Sequence, residues 1–86
     1  MPQTFYFYIL RCRDNTLYCG QTNDLQRRLE EHNEDNKKGA KYTKGRRPVA
    51  LVYSEVFSTL KAARSREAEV KKLTKGKKEV LVKGNK

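Results

Sequence analysis

A chain of 86 residues with 20 Lys and Arg against 10 Asp and Glu carries a net charge of +10. So short a polymer buries only about 60 to 65% of its unfolded surface, which leaves room for one domain over residues 1–86 with a small core. The charge selects an anionic partner, with nucleic acid ahead of an anionic membrane surface, and no run approaches the ~18 apolar residues that a membrane span needs.

The N-terminus MPQTFYFYIL lacks the basic start and small-residue cleavage site of a signal peptide, so a cytoplasmic location is expected. Phe5 to Cys12 alternates aromatic and aliphatic side chains, and Thr16 to Gly20 does the same after the turn-forming Arg13, Asp14 and Asn15. That pattern predicts a β-hairpin. Asn15 tolerates the left-handed conformation that closes a three-residue loop, and an odd loop places Tyr8, Leu10 and Tyr18 on one face. Cys12 and Cys19 are then not cross-strand partners. With a single histidine they are too few for a four-ligand zinc site, and they read as two small apolar residues of a reduced hairpin.

Asn23 is placed to cap a helix, with Gln26 completing a capping box and Asp24 in the first turn. The helix is expected to run to about Asn33. At ~100° per residue Leu25 and Leu29 mark its buried face, Arg28 and His32 lie one turn apart along the edge, and Arg27, Glu30 and Glu31 point away.

Residues 34–48 are crowded with Lys, Arg and Gly and read as a loop with one short helical turn near Lys41. After Pro48 the run VALVYSEVF predicts a third strand. Ser58 or Thr59 then caps a long helix expected to end near Gly76. Its inward stripe is Leu60, Ala63, Val70 and Thr74, widened by Ala62 and Leu73, and Glu67 falls in the middle of it. Residues 77–86 form a basic tail with room for one last turn through Val80, Leu81 and Val82. The fold class expected is α+β.

A carboxylate among apolar neighbours costs several kcal/mol unless compensated. Glu67 therefore needs a partner: a lysine or Arg28 for packing alone, or a divalent metal lining a cleft, since Mg²⁺ is commonly held by one carboxylate plus water and phosphate oxygens. Arg28 is either an ordinary surface cation or, held rigidly one turn from His32 and opposite two tyrosines, a forked donor to a phosphate that gains charge in a transition state. His32 is either a satisfied helix-edge histidine or a proton carrier. Tyr8 and Tyr18 are either hydroxyl-tipped core residues or candidates for a general base, whose pKa near 10 would have to fall at a cost of roughly 3 to 4 kcal/mol that Arg28 and a metal supply.

Tyr6-Phe7-Tyr8, then Tyr18-Cys19-Gly20, Asp24 with Arg27-Arg28 and His32, and a helix bearing Arg66-Glu67 together resemble the GIY-YIG nuclease superfamily. The resemblance covers nearly the whole chain and is greatest to the small stand-alone bacterial, UPF0213-like members. Gly39 to Thr43 and Arg47-Pro48 also resemble the matching region of the structure-specific nuclease subunit that cuts branched DNA. What the resemblance implies is a three-stranded antiparallel sheet flanked by helices, with Tyr8, Tyr18, Arg28, His32 and Glu67 converging on a scissile phosphate and Glu67 holding one Mg²⁺ or Mn²⁺ ion. The departures are specific. The first half-motif lacks its glycine and isoleucine, Cys19 replaces the second isoleucine, and Gln21 stands where the excision-repair branch has a lysine. Only Asn85 is available for the asparagine that some branches use after the glutamate.

A nucleic-acid contact surface is expected from Lys37, Lys38, Lys41, Tyr42, Thr43, Lys44, Arg46, Arg47 and Lys71, although such charges also serve solubility. The sequence thus predicts a metal-dependent endonuclease acting on DNA, branched or single-stranded, in repair or recombination. The alternative from another class is a non-catalytic DNA- or RNA-binding module that keeps the fold. A protein-interaction adaptor is disfavoured by the scarcity of exposed aromatic anchors.

Overall fold

The parity of one loop decides which side chains meet. In the computed structural model, which describes residues 3–35, 37 and 41–84, strands β1 (Phe5–Arg11) and β2 (Leu17–Thr22) pair antiparallel. Tyr8 lies opposite Gly20 and Leu10 opposite Tyr18. The turn is the expected one: Cys12 N–H donates to Thr16 O at 2.8 Å, Asn15 N–H donates to Cys12 O at 2.9 Å, and Asn15 takes φ 72°. Three residues close the loop, so Tyr8, Leu10 and Tyr18 share a face. Cys12 and Cys19 fall in separate clusters on opposite faces and are free thiols. Lys38, Gly39, Ala40 and Asn85 lie outside the described residues.

Strand β3 (Ala50–Phe57) pairs antiparallel with the other side of β1, giving the order β2-β1-β3. The register jumps from Ile9 opposite Tyr53 to Leu10 opposite Leu51, so Val52 is an extra residue, and Val52 and Tyr53 both join the cluster around Phe7 and Ile9. Asn33 clamps the strand entry with both ends of its amide: Val49 N–H donates to Oδ1 at 2.7 Å and Nδ2 donates to Val49 O at 3.0 Å.

Each face of the sheet has its own cover. Helix α1 (Leu25–Glu34), with the short α2 (Lys41–Lys44), covers the Tyr8 and Leu10 face through Leu25 and Leu29. Helices α3 (Leu60–Lys71) and α4 (Lys75–Gly84) cover the Phe7 and Ile9 face through Val70, Leu73, Leu81 and Val82. The whole is the expected α+β arrangement of a three-stranded antiparallel sheet flanked by helices.

Three local expectations are corrected. The N-cap of α1 is Asp24 and not Asn23: the Asp24 carboxylate accepts from Arg27 N–H at 3.1 Å, Gln26 turns to Glu30 instead of closing a capping box, and Asn23 Oδ1 accepts from the Arg27 guanidinium. Glu31 does not point away, because at i+3 it meets Arg28. The long C-terminal helix is two helices. Lys72 caps α3, and Thr74, which is exposed rather than inward, opens α4 by accepting Lys77 N–H at 3.3 Å. Gly76 therefore lies inside α4, and most of the expected tail is helix, tied to β1 by the two-pronged Arg11–Glu79 pair at 2.8 and 2.6 Å.

Removing that cap tests the division of the C-terminal segment. Thr74→Ala should cost about 1 kcal/mol and raise amide exchange across α4 while leaving α3 unchanged; equal loosening of both helices would mean that they form one unit.

Candidate active site

Tyr8 has 2% of its surface exposed, and its ring lies flat over the neighbouring strand. This is possible because Gly20 faces it: a Cβ there would stand 2.4 Å from the phenol oxygen and 2.6 Å from Cζ. No glycine among the described residues has a positive φ, so Gly20 provides space and not backbone freedom.

So placed, the Tyr8 phenol reaches His32 Nε2 at 3.0 Å, and His32 Nδ1 reaches Thr43 Oγ1 at 3.0 Å. His32 and Thr43 are both fully buried. The Arg28 guanidinium also hydrogen-bonds Tyr8 while donating to Glu31 Oε1 at 2.9 Å. Because a guanidinium only donates, the Tyr8 oxygen receives Arg28 and has one proton to pass on. The set is satisfied throughout when Tyr8 donates to Nε2 and Nδ1–H donates to Thr43.

Burial sets the electrostatics. It pushes the Tyr8 phenol up to about 12, outweighing the Arg28 hydrogen bond and charge that pull it down. This reverses the fall expected of a general-base Tyr8. Burial, then the Arg28 charge, pulls the His32 imidazole down to about 4, so the ring is neutral at pH 7.

Tyr18 projects from the same face, half-buried, with its ring 5.2 Å from that of His32 and stacked on Tyr42 at 5.6 Å. The Arg46 guanidinium stands 4.1 Å from the Tyr42 ring centre, donates to Tyr42 O at 2.8 Å and pairs with Asp14 at 3.0 Å. Arg47 donates to His32 O at 2.6 Å and to Asp35 O at 2.9 Å, tying off the last carbonyls of α1.

Several residues expected on a nucleic-acid surface thus serve the interior. Thr43 has no exposed area to offer a ligand, and Arg47 is engaged by backbone oxygens. Lys37, Lys41, Lys44 and Tyr42 remain exposed, whereas Arg46 is half-buried and paired.

Glu67 arrives from the opposite layer. On α3 the buried Ala63 and Val70 define the side that packs on the sheet, Arg66 turns to β3, where it bonds Glu55 at 3.0 to 3.1 Å, and Glu67 turns to β2. Its charge acts on Cys19 of β2 and on the Tyr8 phenol, as the smallest of the influences on each. The carboxylate is half-buried and its ion-pair partner is Lys71, one turn on, at 2.7 Å. That pairing matches the packing alternative stated for this residue. Among the described residues no group of three or more His, Cys, Asp or Glu is assembled. A hard divalent cation still fits a lone carboxylate when substrate and water complete its shell, and Lys71 would have to release Glu67 to admit it.

The structure therefore brings Tyr8, Tyr18, Arg28 and His32 together on one face, with Glu67 in the opposite layer beside β2. What the sequence did not reveal is Thr43, eleven positions from its histidine partner with no local signal, and Glu31, whose i+3 spacing from Arg28 was readable.

A family model described as the GIY-YIG catalytic domain matches residues 4–79. A UPF0213 protein of Bacillus velezensis is 53% identical over 77 residues, covering 90% of this chain and 76% of that protein. The solution structure of a UPF0213 protein of Bacillus halodurans matches at 45% identity and a TM-score of 0.59, covering 93% of this chain and 83% of that one. A second solution structure, of a protein from E. faecalis, matches at 43% identity and a TM-score of 0.64, covering 95% and 85%.

Two measurements check the buried relay. Between pH 6.5 and about 4 the unfolded chain takes up a proton at His32 that the folded chain refuses, so stability is whole above that window and falls with pH inside it. Urea unfolding should show a loss of about 2 kcal/mol from pH 7 to pH 5 that is absent in His32→Gln; identical slopes in the two proteins would refute the neutral buried ring. Gly20→Ala should cost about 1 to 3 kcal/mol and bring the His32 pKa back toward its usual range by NMR, because the methyl displaces the phenol that contacts it.

Proposed function

We propose, on the premise that this chain belongs to the GIY-YIG catalytic domain family, that it hydrolyses phosphodiester bonds of DNA with one Mg²⁺ or Mn²⁺ ion. Family membership points to nuclease-type chemistry in general, and the division of labour follows from this chain's geometry. The observation that carries it is the convergence of Arg28, His32 and both motif phenols on one face of the hairpin.

The two tyrosines take different parts. Tyr8 is sealed from water, holds its proton and is engaged by Arg28 and His32, so it sets the position of the guanidinium. Tyr18 is the phenol with access, braced by His32 on one side and Tyr42 on the other, and its oxygen takes the proton of the attacking water as its own hydroxyl proton passes to solvent. Arg28, half-buried and held by Glu31, presents its guanidinium charge to a phosphate whose negative charge grows as water adds. His32 is the neutral acceptor that keeps the Tyr8 proton aligned. Glu67 is the oxygen ligand for the divalent ion, which when bound would neutralise charge on the scissile phosphate. Exposed Lys37, Lys41 and Lys44 suit a salt-sensitive approach of the DNA backbone.

One observation favours a second reading. Glu67 is already neutralised by Lys71, as in a nucleic-acid-binding module that keeps the fold without turnover. Retardation of DNA without metal-dependent products on any duplex, flap, junction or single strand would establish that module and reject the nuclease.

Arg28→Ala should lower the cleavage rate by about 10²- to 10³-fold, and Glu67→Ala should abolish the response to Mg²⁺ or Mn²⁺ with the circular dichroism spectrum unchanged. Cleavage surviving in both would remove the basis of the assignment. Lys71→Met frees the carboxylate and should tighten Mn²⁺ binding by up to about fivefold, the equivalent of ~1 kcal/mol for a largely exposed pair; weaker binding would mean that Glu67 is not the ligand.

A further inference from the structure

Beside the candidate site, and sharing Arg28 with it, lies an open cleft of about 400 Å³. It is bounded by Phe5 at the start of β1, Gln21 and Asn23 at the end of β2, Arg28 on α1, and Leu60 and Arg64 on α3. Two guanidinium groups from helices on opposite faces of the sheet thus line one cavity. Arg28 has Glu31 as its counter-ion, but Arg64 is exposed and has no acidic partner among the described residues. The cleft is therefore positive where the two layers meet at the end of the sheet.

Its chemistry is divided. Phe5 and Leu60 supply half-buried apolar surface, Gln21 and Asn23 supply amides, and the arginines supply charge. An inorganic anion would use only the last of these, whereas a nucleotide unit uses all three: phosphate on guanidinium, base or sugar on the aromatic and aliphatic wall, base edges on amides. The position on α3 matters as well. Arg64, Glu67 and Lys71 are spaced i, i+3 and i+7, so they lie along one side of the helix, with the proposed metal ligand next in line after Arg64.

We infer that this cleft is a nucleotide subsite flanking the scissile phosphate, in which Arg64 binds the neighbouring phosphate of the same strand and Phe5 bears its nucleoside. The inference rests on the nuclease reading for the word scissile, but the binding it asserts does not. Arg64 makes no contact with the reacting atoms and is a binding residue, so its loss should appear in KM and in salt dependence, with kcat unchanged.

The experiment measures binding of oligothymidylate by fluorescence anisotropy, without divalent metal and across a range of salt, for the wild type, Arg64→Ala, Arg64→Lys and Lys61→Ala. Lys61 lies on the same helix outside the cleft and controls for loss of one charge. Arg64→Ala should weaken binding about five- to tenfold and reduce the magnitude of the log K against log salt slope by about 0.7, one phosphate contact on a single strand. Arg64→Lys should restore the slope, and Lys61→Ala should leave both close to wild type. Phe5→Ala should weaken binding with the slope unchanged, since stacking releases no counter-ions. Equal effects of Arg64→Ala and Lys61→Ala would overturn the subsite. If the wild type cleaves nothing with metal, the nuclease reading fails while the binding comparison still decides the subsite.

Discussion

The structure turns on a phenol lying against a glycine. With a hydrogen in place of a side chain at position 20, the Tyr8 ring can cross its neighbouring strand and carry its oxygen to His32. That contact joins β1 to α1, and the Thr43 hydroxyl extends it to α2. Among the described residues every buried side-chain nitrogen and oxygen has a hydrogen-bond partner, where an orphan would cost about 1 to 3 kcal/mol. β1, α1 and α2 are thereby joined by one chain of buried hydrogen bonds, beside the apolar contact of Leu25 and Leu29 with Leu10.

The same burial pulls two ionisation constants apart. Tyr8 is pushed up and His32 down, so the proton between them is secured over the whole physiological range, and the pair is a rigid support for Arg28. The guanidinium is thereby fixed between a neutral phenol and a carboxylate. The cost is that Tyr8 gives up any readiness to act as a base, and the two tyrosines that look equivalent in the sequence have different surroundings. Exposure distinguishes them, and exposure is a property of packing rather than of spacing.

What could be read from the sequence followed from parity and period. A three-residue loop fixed the face of Tyr8 and Tyr18, and the helical period put Arg28 and His32 on one edge. Features that depend on distant partners could not be read in this way. Nothing near Thr43 announces that it bonds His32, and its place in a basic segment suggested a surface role; Arg47 misled for the same reason, since its carbonyl partners lie in a helix twelve to fifteen residues earlier. The break between α3 and α4 was missed because Leu73 and Thr74 continue the apolar period of α3, while the cap that ends it is a backbone event. Asn23 and Asp24 are both good caps. The choice went to Asp24, whose N–H bonds the Thr22 hydroxyl at 3.1 Å, a contact no local pattern shows.

Glu67 shows how a fold with helices on both faces can still build one site. A carboxylate on α3 is separated from Tyr8 by the sheet, unless the helix is rotated so that this residue overhangs an open edge. On α3, Arg66 bonds Glu55 of β3, and the next residue, ~100° around, is turned to β2. β2 is an edge strand, and it is also the strand whose glycine lets the Tyr8 phenol lean across. Both devices act at the same edge from opposite faces. In the adjacent pair Arg66-Glu67, the first is bonded to the neighbouring strand and the second to its own helix through Lys71.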